Sequence, residues 1–202
     1  MAAVLRFGDR GVPRSLRGLQ AVTLPTAPAD AADVIDGITA DVGRVVVLGS
    51  TADLATVLTR LLRTERLDVE VAHVRRWWHA RRAISAAAQR VPLIRDETGQ
   101  VLAGAALWLP PDGSQAIQGE AIVDDTVLFD GEFAGVRVQP TLAMPGLRAA
   151  PLGPRLLPAR WVSGRAAQLG TTGARVVRDG VPAPREVRRS TFYRHTQGWL
   201  RV

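Results

Sequence analysis

The 202-residue chain contains no cysteine and no lysine. The first absence excludes disulfides, thiolate zinc sites and thiol nucleophiles, leaves redox chemistry to a borrowed cofactor, and suits a reducing compartment. The second makes every one of the 26 basic residues an arginine, and against 19 acids they leave a formal charge of +7. Such a balance steers a chain toward phosphate, nucleic acid or anionic lipid, yet it selects none of them. Biased coding composition produces the same excess. No stretch approaches the roughly 18 to 20 apolar residues needed to span a bilayer, and the N-terminal MAAVLRFGDRG has no long apolar region. The cytoplasm is the expected address. Histidine is scarce too: His73, His79 and His195 lack metal-ligand spacing, and no metal site is expected from them.

What is present suffices for a folded protein. With 47% hydrophobic residues, the chain can build one sizeable core or two small ones. Residues 1–90 alternate apolar runs with helical patterns, as expected where helices cover a parallel sheet. Asp30 to Val42 predicts a helix with Ala31, Val34, Ile35 and Ile38 on its apolar stripe. Val45 to Leu48 predicts a short buried strand, and Leu54, Val57, Leu58, Leu61 and Leu62 mark one side of the next helix. Leu67 to Val74 reads as the following strand, whereas Met1 to Leu24 fits either the sheet or a partly detached segment.

Residues 91–202 change rhythm. Short extended runs alternate with turns rich in glycine, proline and aspartate, and Asp96 to Gly99 and Asp179-Gly180 read as hairpin corners. Four prolines, Pro145, Pro151, Pro154 and Pro158, predict an irregular crossing loop over residues 145–160. The fold class is therefore α/β: a small parallel-sheet part followed by a β-rich, antiparallel, sandwich-like part.

The turn GSTADL, Gly49 to Leu54, lies where the strand meets the helix. A phosphate cradle needs small residues there, so that successive amides and the helix N-terminus face the anion. Gly49, Ser50, Thr51 and Ala52 permit that approach, and they equally make an ordinary strand-to-helix turn with Ser50 or Thr51 as cap. Neither G-x-x-x-x-G-K-[ST] nor G-x-G-x-x-G occurs.

This loop within an α/β part, followed by a β-rich part closing on GRAAQLGTTGARVVRDGVPAPREVRRSTFYRHTQGWLRV, resembles the diacylglycerol kinase and related lipid kinase family, which shares its architecture with NAD kinases. The resemblance spans about Val42 to Val202. It implies a nucleotide loop of two glycines, then aspartate, glycine and threonine, used with ATP and magnesium. Only Gly49 matches that pattern. Thr51 stands at the aspartate position and lacks its negative charge, and Asp53 is displaced by two residues. The family's proline- and glycine-rich segment after the next strand is replaced by VRRWWHARRA. The resemblance therefore implies a shortened, degenerate relative, a pseudoenzyme. If the chain is active, Asp53 belongs to an altered loop and Asp130 or Glu132 is the base.

Those two acids lie in VDDTVLFDGE with Asp124 and Asp125. Together they can hold a hard cation if the chain gathers them; alternatively Asp124-Asp125 and Asp130-Gly131 form two hairpin turns. VRRWWHARRA concentrates basic and aromatic residues. Arg75, Arg76, Arg81 and Arg82 can meet phosphates while Trp77 or Trp78 stacks on a base, settles at a lipid interface, or packs against a partner. Near the C-terminus, Phe192 and Trp199 are expected to anchor an end strand, leaving Arg188, Arg189, Arg194 and His195 at the surface or in a cleft. The leading expectation is a non-catalytic scaffold or protein-interaction module, with a protein partner or homo-oligomer and an anionic lipid surface as a further contact. A nucleotide- and magnesium-dependent lipid or small-molecule kinase is the alternative. A nucleic-acid-binding module ranks last, since no recognisable nucleic-acid motif is present.

Overall fold

A computed structural model describes residues 1–24, 31–153 and 157–202, and statements below about number or absence refer to these. Asp30 of the expected first helix and Pro154 of the proline-rich stretch lie outside them. The chain forms two compact units, Met1–Val91 with Gln197–Val202, and Pro92–Thr196.

The first unit comprises β1 (Ala2–Phe7), β2 (Gln20–Leu24), α1 (Ala32–Asp41), β3 (Arg44–Leu48), α2 (Thr51–Arg63), β4 (Glu70–His73), a 3-10 turn at Trp77–His79, α3 (Ala80–Ser85) and β5 (Gln89–Val91). The second holds β6 (Ile94–Asp96), β7 (Val101–Leu102), β8 (Ala106–Leu109), β9 (Ile117–Val123), β10 (Thr126–Phe133), β11 (Val136–Pro140), β12 (Leu147–Pro151), β13 (Val162–Gly164), β14 (Ala166–Arg178), β15 (Val181–Pro182) and β16 (Val187–Arg194). The last strand, β17 (Trp199–Arg201), belongs to the first unit.

The first sheet runs β2-β1-β3-β4-β17-β5, parallel throughout except for the antiparallel pairing of β5 with β17. Its middle is apolar on both faces, as parallel strands covered by helices must be. Ala3, Val4 and Leu5 of β1 and Val45, Val46 and Val47 of β3 are all fully buried. Ala2–Phe7 and Gln20–Leu24 are thus integral to the sheet. In α2, Leu54, Val57, Leu58 and Leu61 recur at helical spacing and are buried. In α1 the buried side chains are Ile35 and Thr39, the latter donating its hydroxyl to the Ile35 carbonyl at 2.8 Å. A forked pair between Arg60 and Asp36 ties the two helices together.

Every strand pair of the second unit is antiparallel, and β14 organises it. The first half of its 13 residues pairs with β9 and β16, the second with β8 and β15, and its register with β16 shifts between Gly170 and Ala174. At the core, fully buried Trp108 of β8 stacks on Phe192 of β16 with ring centroids 5.8 Å apart. Its indole Nε1 donates to Ser190 Oγ at 3.0 Å. The irregular loop expected over residues 145–160 is only partly so. Leu147–Pro151 is a strand paired along its length with β11, because Pro145 precedes the pairing and Pro151 ends it.

Aspartates close the corners of this unit. Asp96, fully buried, accepts from the amides of Thr98 and Gln100 and from the Thr98 hydroxyl, holding the β6–β7 hairpin. Its second oxygen lies 2.7 Å from Arg178 Nε as an ion pair without hydrogen-bond alignment. Asp179 and Gly180 form the two-residue corner between β14 and β15, with φ of +50° and +87°, values that aspartate tolerates and glycine adopts freely. The Asp179 carboxylate accepts the amides of Ala103, Gly104 and Ala105. Burial pushes its pKa up, against the opposing pull of these three bonds.

Trp108→Ala is expected to cost about 3 to 5 kcal/mol by chemical unfolding, since it removes a fully buried aromatic and strands the Ser190 hydroxyl. A loss below about 1 kcal/mol would show that Trp108 is not central to this core.

Candidate functional site

The loop between β3 and α2 is shaped by one reciprocal cap. Ser50 is the N-cap of α2, with extended backbone, and its Oγ accepts the Asp53 amide at 3.2 Å. In return, Asp53 Oδ2 accepts the Ser50 amide at 2.6 Å and the Ser50 hydroxyl at 2.8 Å. The serine and the acid three residues on satisfy donors that a helix start otherwise leaves open. Gly49 is buried against this arrangement: a β-carbon there would lie 2.6 Å from Asp53 Oδ2 and 2.7 Å from Asp53 Cβ. The glycine is needed for the close approach of the aspartate. Thr51 and Ala52 open the helix, both half-buried.

His73 completes the loop. The parallel register sets Val47 opposite His73, so the imidazole reaches the carbonyl just beyond the end of β3. Its Nε2–H donates to the Gly49 carbonyl at 3.1 Å. Burial holds the His73 pKa below its ordinary value of 6.5, opposed by this bond and reinforced by nearby Arg75. No local pattern in the sequence announces the contact, because the partners are 24 residues apart and meet only through strand pairing.

The cap commits part of the helix start to the protein's own side chains. The Ser50 and Asp53 amides are engaged in the cap, which leaves the amides of Thr51 and Ala52 as the donors an anion would meet there. Such an anion would also sit beside the Asp53 carboxylate. Two like charges about 4 Å apart repel by about 1 kcal/mol in bulk water and about 4 kcal/mol at the effective dielectric of a protein surface. The helix terminus offers about 0.3 to 1 kcal/mol in return, so the carboxylate disfavours a bare anion, whereas a metal ion bound with the anion would offset that repulsion.

The other acids are arranged otherwise. Asp124, at φ +47°, sits with Asp125 in the corner between β9 and β10, and its carboxylate accepts the amides of Arg165 and Ala166. The expected turn at Asp130-Gly131 is not one. These residues lie inside β10, opposite Glu120 and Gly119, because the β9–β10 pairing continues past them to Phe133. Asp130 and Glu132 are exposed and two apart on the strand, hence on one face, and Glu132 accepts from Gln118 Nε2 at 2.8 Å. Asp53 belongs to the first unit and these two to the second. Among the described residues no group of three or more His, Asp or Glu side chains gathers to hold a metal ion.

The basic-aromatic segment follows β4. Trp77 and Trp78 are 75% and 53% exposed. Their rings meet edge to face, 5.6 Å apart at 85°, and the Arg76 guanidinium lies over the Trp78 ring at 5.2 Å. Arg75, Arg76, Arg81 and Arg82 are all exposed, as are Arg188 and Arg189 on β16 of the second unit. Phe192 and Trp199 serve different units, the former buried in the second core and the latter half-buried in β17.

No protein-family model matches this chain, and no curated protein matches it significantly. Solved structures do. It is similar to an NAD kinase from Archaeoglobus fulgidus, solved in complex with ATP, at 12% identity over 99% of this chain and 92% of that one, with a TM-score of 0.65. It is also similar to a diacylglycerol kinase from Bacillus anthracis str. Sterne, at 12% identity over 99% and 96% of the two chains, with a TM-score of 0.69. The architecture is that of the NAD kinase and diacylglycerol kinase fold.

Ser50→Ala is expected to lower stability by about 1 kcal/mol through loss of the cap. Gly49→Ala and Asp53→Ala should be non-additive, because either change breaks the same contact; additive losses by chemical unfolding would disconnect the two residues. The pH dependence carries a definite sign. With its folded pKa below 6.5, His73 binds fewer protons folded than unfolded. Its contribution is complete above that value and is lost as pH falls through the folded pKa. His195 shifts in the same direction, from burial and Arg95. Stability should therefore decline on acidification below 6.5, and His73→Gln should flatten part of that limb; an unchanged pH profile in the variant would contradict the shift.

Proposed function

We propose that the chain is a non-catalytic scaffold of the kinase-like fold that works by docking, with the arginine and tryptophan segment at residues 75–82 as its contact surface. The observation that carries this reading is the bond from the Ser50 amide to Asp53 Oδ2, which turns the displaced carboxylate onto the protein's own cap. Thr51, where the resemblance implies an aspartate, brings no charge to replace it. The exposed indoles support the docking half, since large aromatics and arginines are the side chains that dominate contact surfaces.

A second reading, a kinase using ATP and magnesium with Asp53 in a rearranged loop and Asp130 or Glu132 as base, draws support from the likeness to an NAD kinase solved with ATP. Calorimetric titration of the full chain with magnesium–ATP separates the two, alongside an assay for phosphate transfer to diacylglycerol. The scaffold reading predicts affinity no tighter than about 1 mM and no transfer. Saturable micromolar binding, with transfer abolished by Asp53→Asn, would establish the kinase instead.

A further inference from the structure

Residues 71–91 contain five arginines and no acid. One of them, Arg90, is engaged with the Gly198 carbonyl at 2.6 Å. The other four, Arg75, Arg76, Arg81 and Arg82, flank Trp77 and Trp78 in the sequence, and none forms an ion pair among the described residues. We infer that this segment docks the chain on an anionic lipid bilayer, the indoles entering the headgroup boundary and the guanidinium groups meeting lipid phosphates. The inference rests on the docking half of the proposed function and is independent of the loop.

The base of the segment is fixed. Ala80 and Ala83 are buried in the same core as Leu16, Val46 and Val74. Arg44, paired with Glu70 at 2.5 Å, donates to the carbonyls of Ala83, Ile84 and Ala86 and so pins the end of α3 to β3. The exposed side chains therefore stand on an ordered support, and little of the contact energy is spent on ordering backbone.

Ring geometry selects among anionic partners. Consecutive bases of a single strand stack on aromatic faces, but here the two indoles are near perpendicular, at 85°, and Arg76 covers the Trp78 ring. A headgroup layer makes no such demand. Tryptophan settles at that depth through its amphipathic ring, and a layer of one charge complements a rim of one charge without a shape-matched cavity. Arg76 over Trp78 keeps the cation beside the indole where both meet the lipid.

The test is flotation of the full chain with phosphatidylcholine–phosphatidylglycerol vesicles against pure phosphatidylcholine, with indole emission followed in parallel. Binding should be confined to the mixed vesicles, weaken with salt, and shift the emission to the blue. Each arginine near an anionic surface contributes about fivefold to partitioning, so Arg81→Gln with Arg82→Gln should weaken it about 25-fold. Trp77→Ala with Trp78→Ala should abolish the blue shift while leaving the unfolding curve in place, both rings being largely exposed. Equal partitioning onto neutral vesicles, or a double tryptophan variant that keeps its blue shift, would overturn the proposal. So would indifference to vesicles in a chain that instead binds a single-stranded oligonucleotide or a second copy of itself. None of these results alters the magnesium–ATP titration, so the two readings fail separately.

Discussion

The start of an α-helix presents a single set of unpaired amides, and whatever takes them defines the loop in front of it. In α2 the Ser50 hydroxyl takes the Asp53 amide and the Asp53 carboxylate takes the Ser50 amide, a reciprocal cap spanning three residues. The conformation of Gly49 follows, because only a residue without a β-carbon fits against Asp53. The position of His73 follows as well, since its bond requires the Gly49 carbonyl to point toward β4. One carboxylate thus joins the end of β3 to the start of α2, and the Gly49 carbonyl extends the link to the end of β4.

The same economy governs the second unit, where aspartates also act on backbone amides. Asp96, Asp124 and Asp179 together accept from seven backbone amides of neighbouring strands or turns. Each holds a corner of an antiparallel sheet whose long strand, β14, links the partners of both its halves. Asp124, one of the acids that the sequence offers as a cation ligand, is thereby committed to a hairpin corner. Asp130 and Glu132 are different: they stand exposed in the middle of a strand.

Local periodicity made much of the first unit legible. The β-branched run at Val45 to Val47 and the spacing of Leu54, Val57, Leu58 and Leu61 each report burial directly, and both elements are where the pattern puts them. The corners at Asp96 to Gly99 and Asp179-Gly180 were readable because aspartate and glycine carry the required backbone geometry. Long-range pairing was not readable. Nothing local says that β1 lies beside β3, that β17 inserts between β4 and β5, or that Asp130-Gly131 continues a strand instead of turning it. At the candidate site the small residues of the loop were visible in the sequence. The direction of the Asp53 carboxylate was not, since a side chain at the third helical position can face its own cap or a ligand.

Amide resonances of Gly49 to Asp53, followed by NMR while magnesium–ATP is added to the full chain, test the closed loop most directly. The account predicts that these five resonances keep their positions, the Ser50 amide remaining bonded to Asp53. Saturable shifts centred on Ser50 and Asp53 would mean that the nucleotide displaces the carboxylate, and the closed-loop account would be wrong.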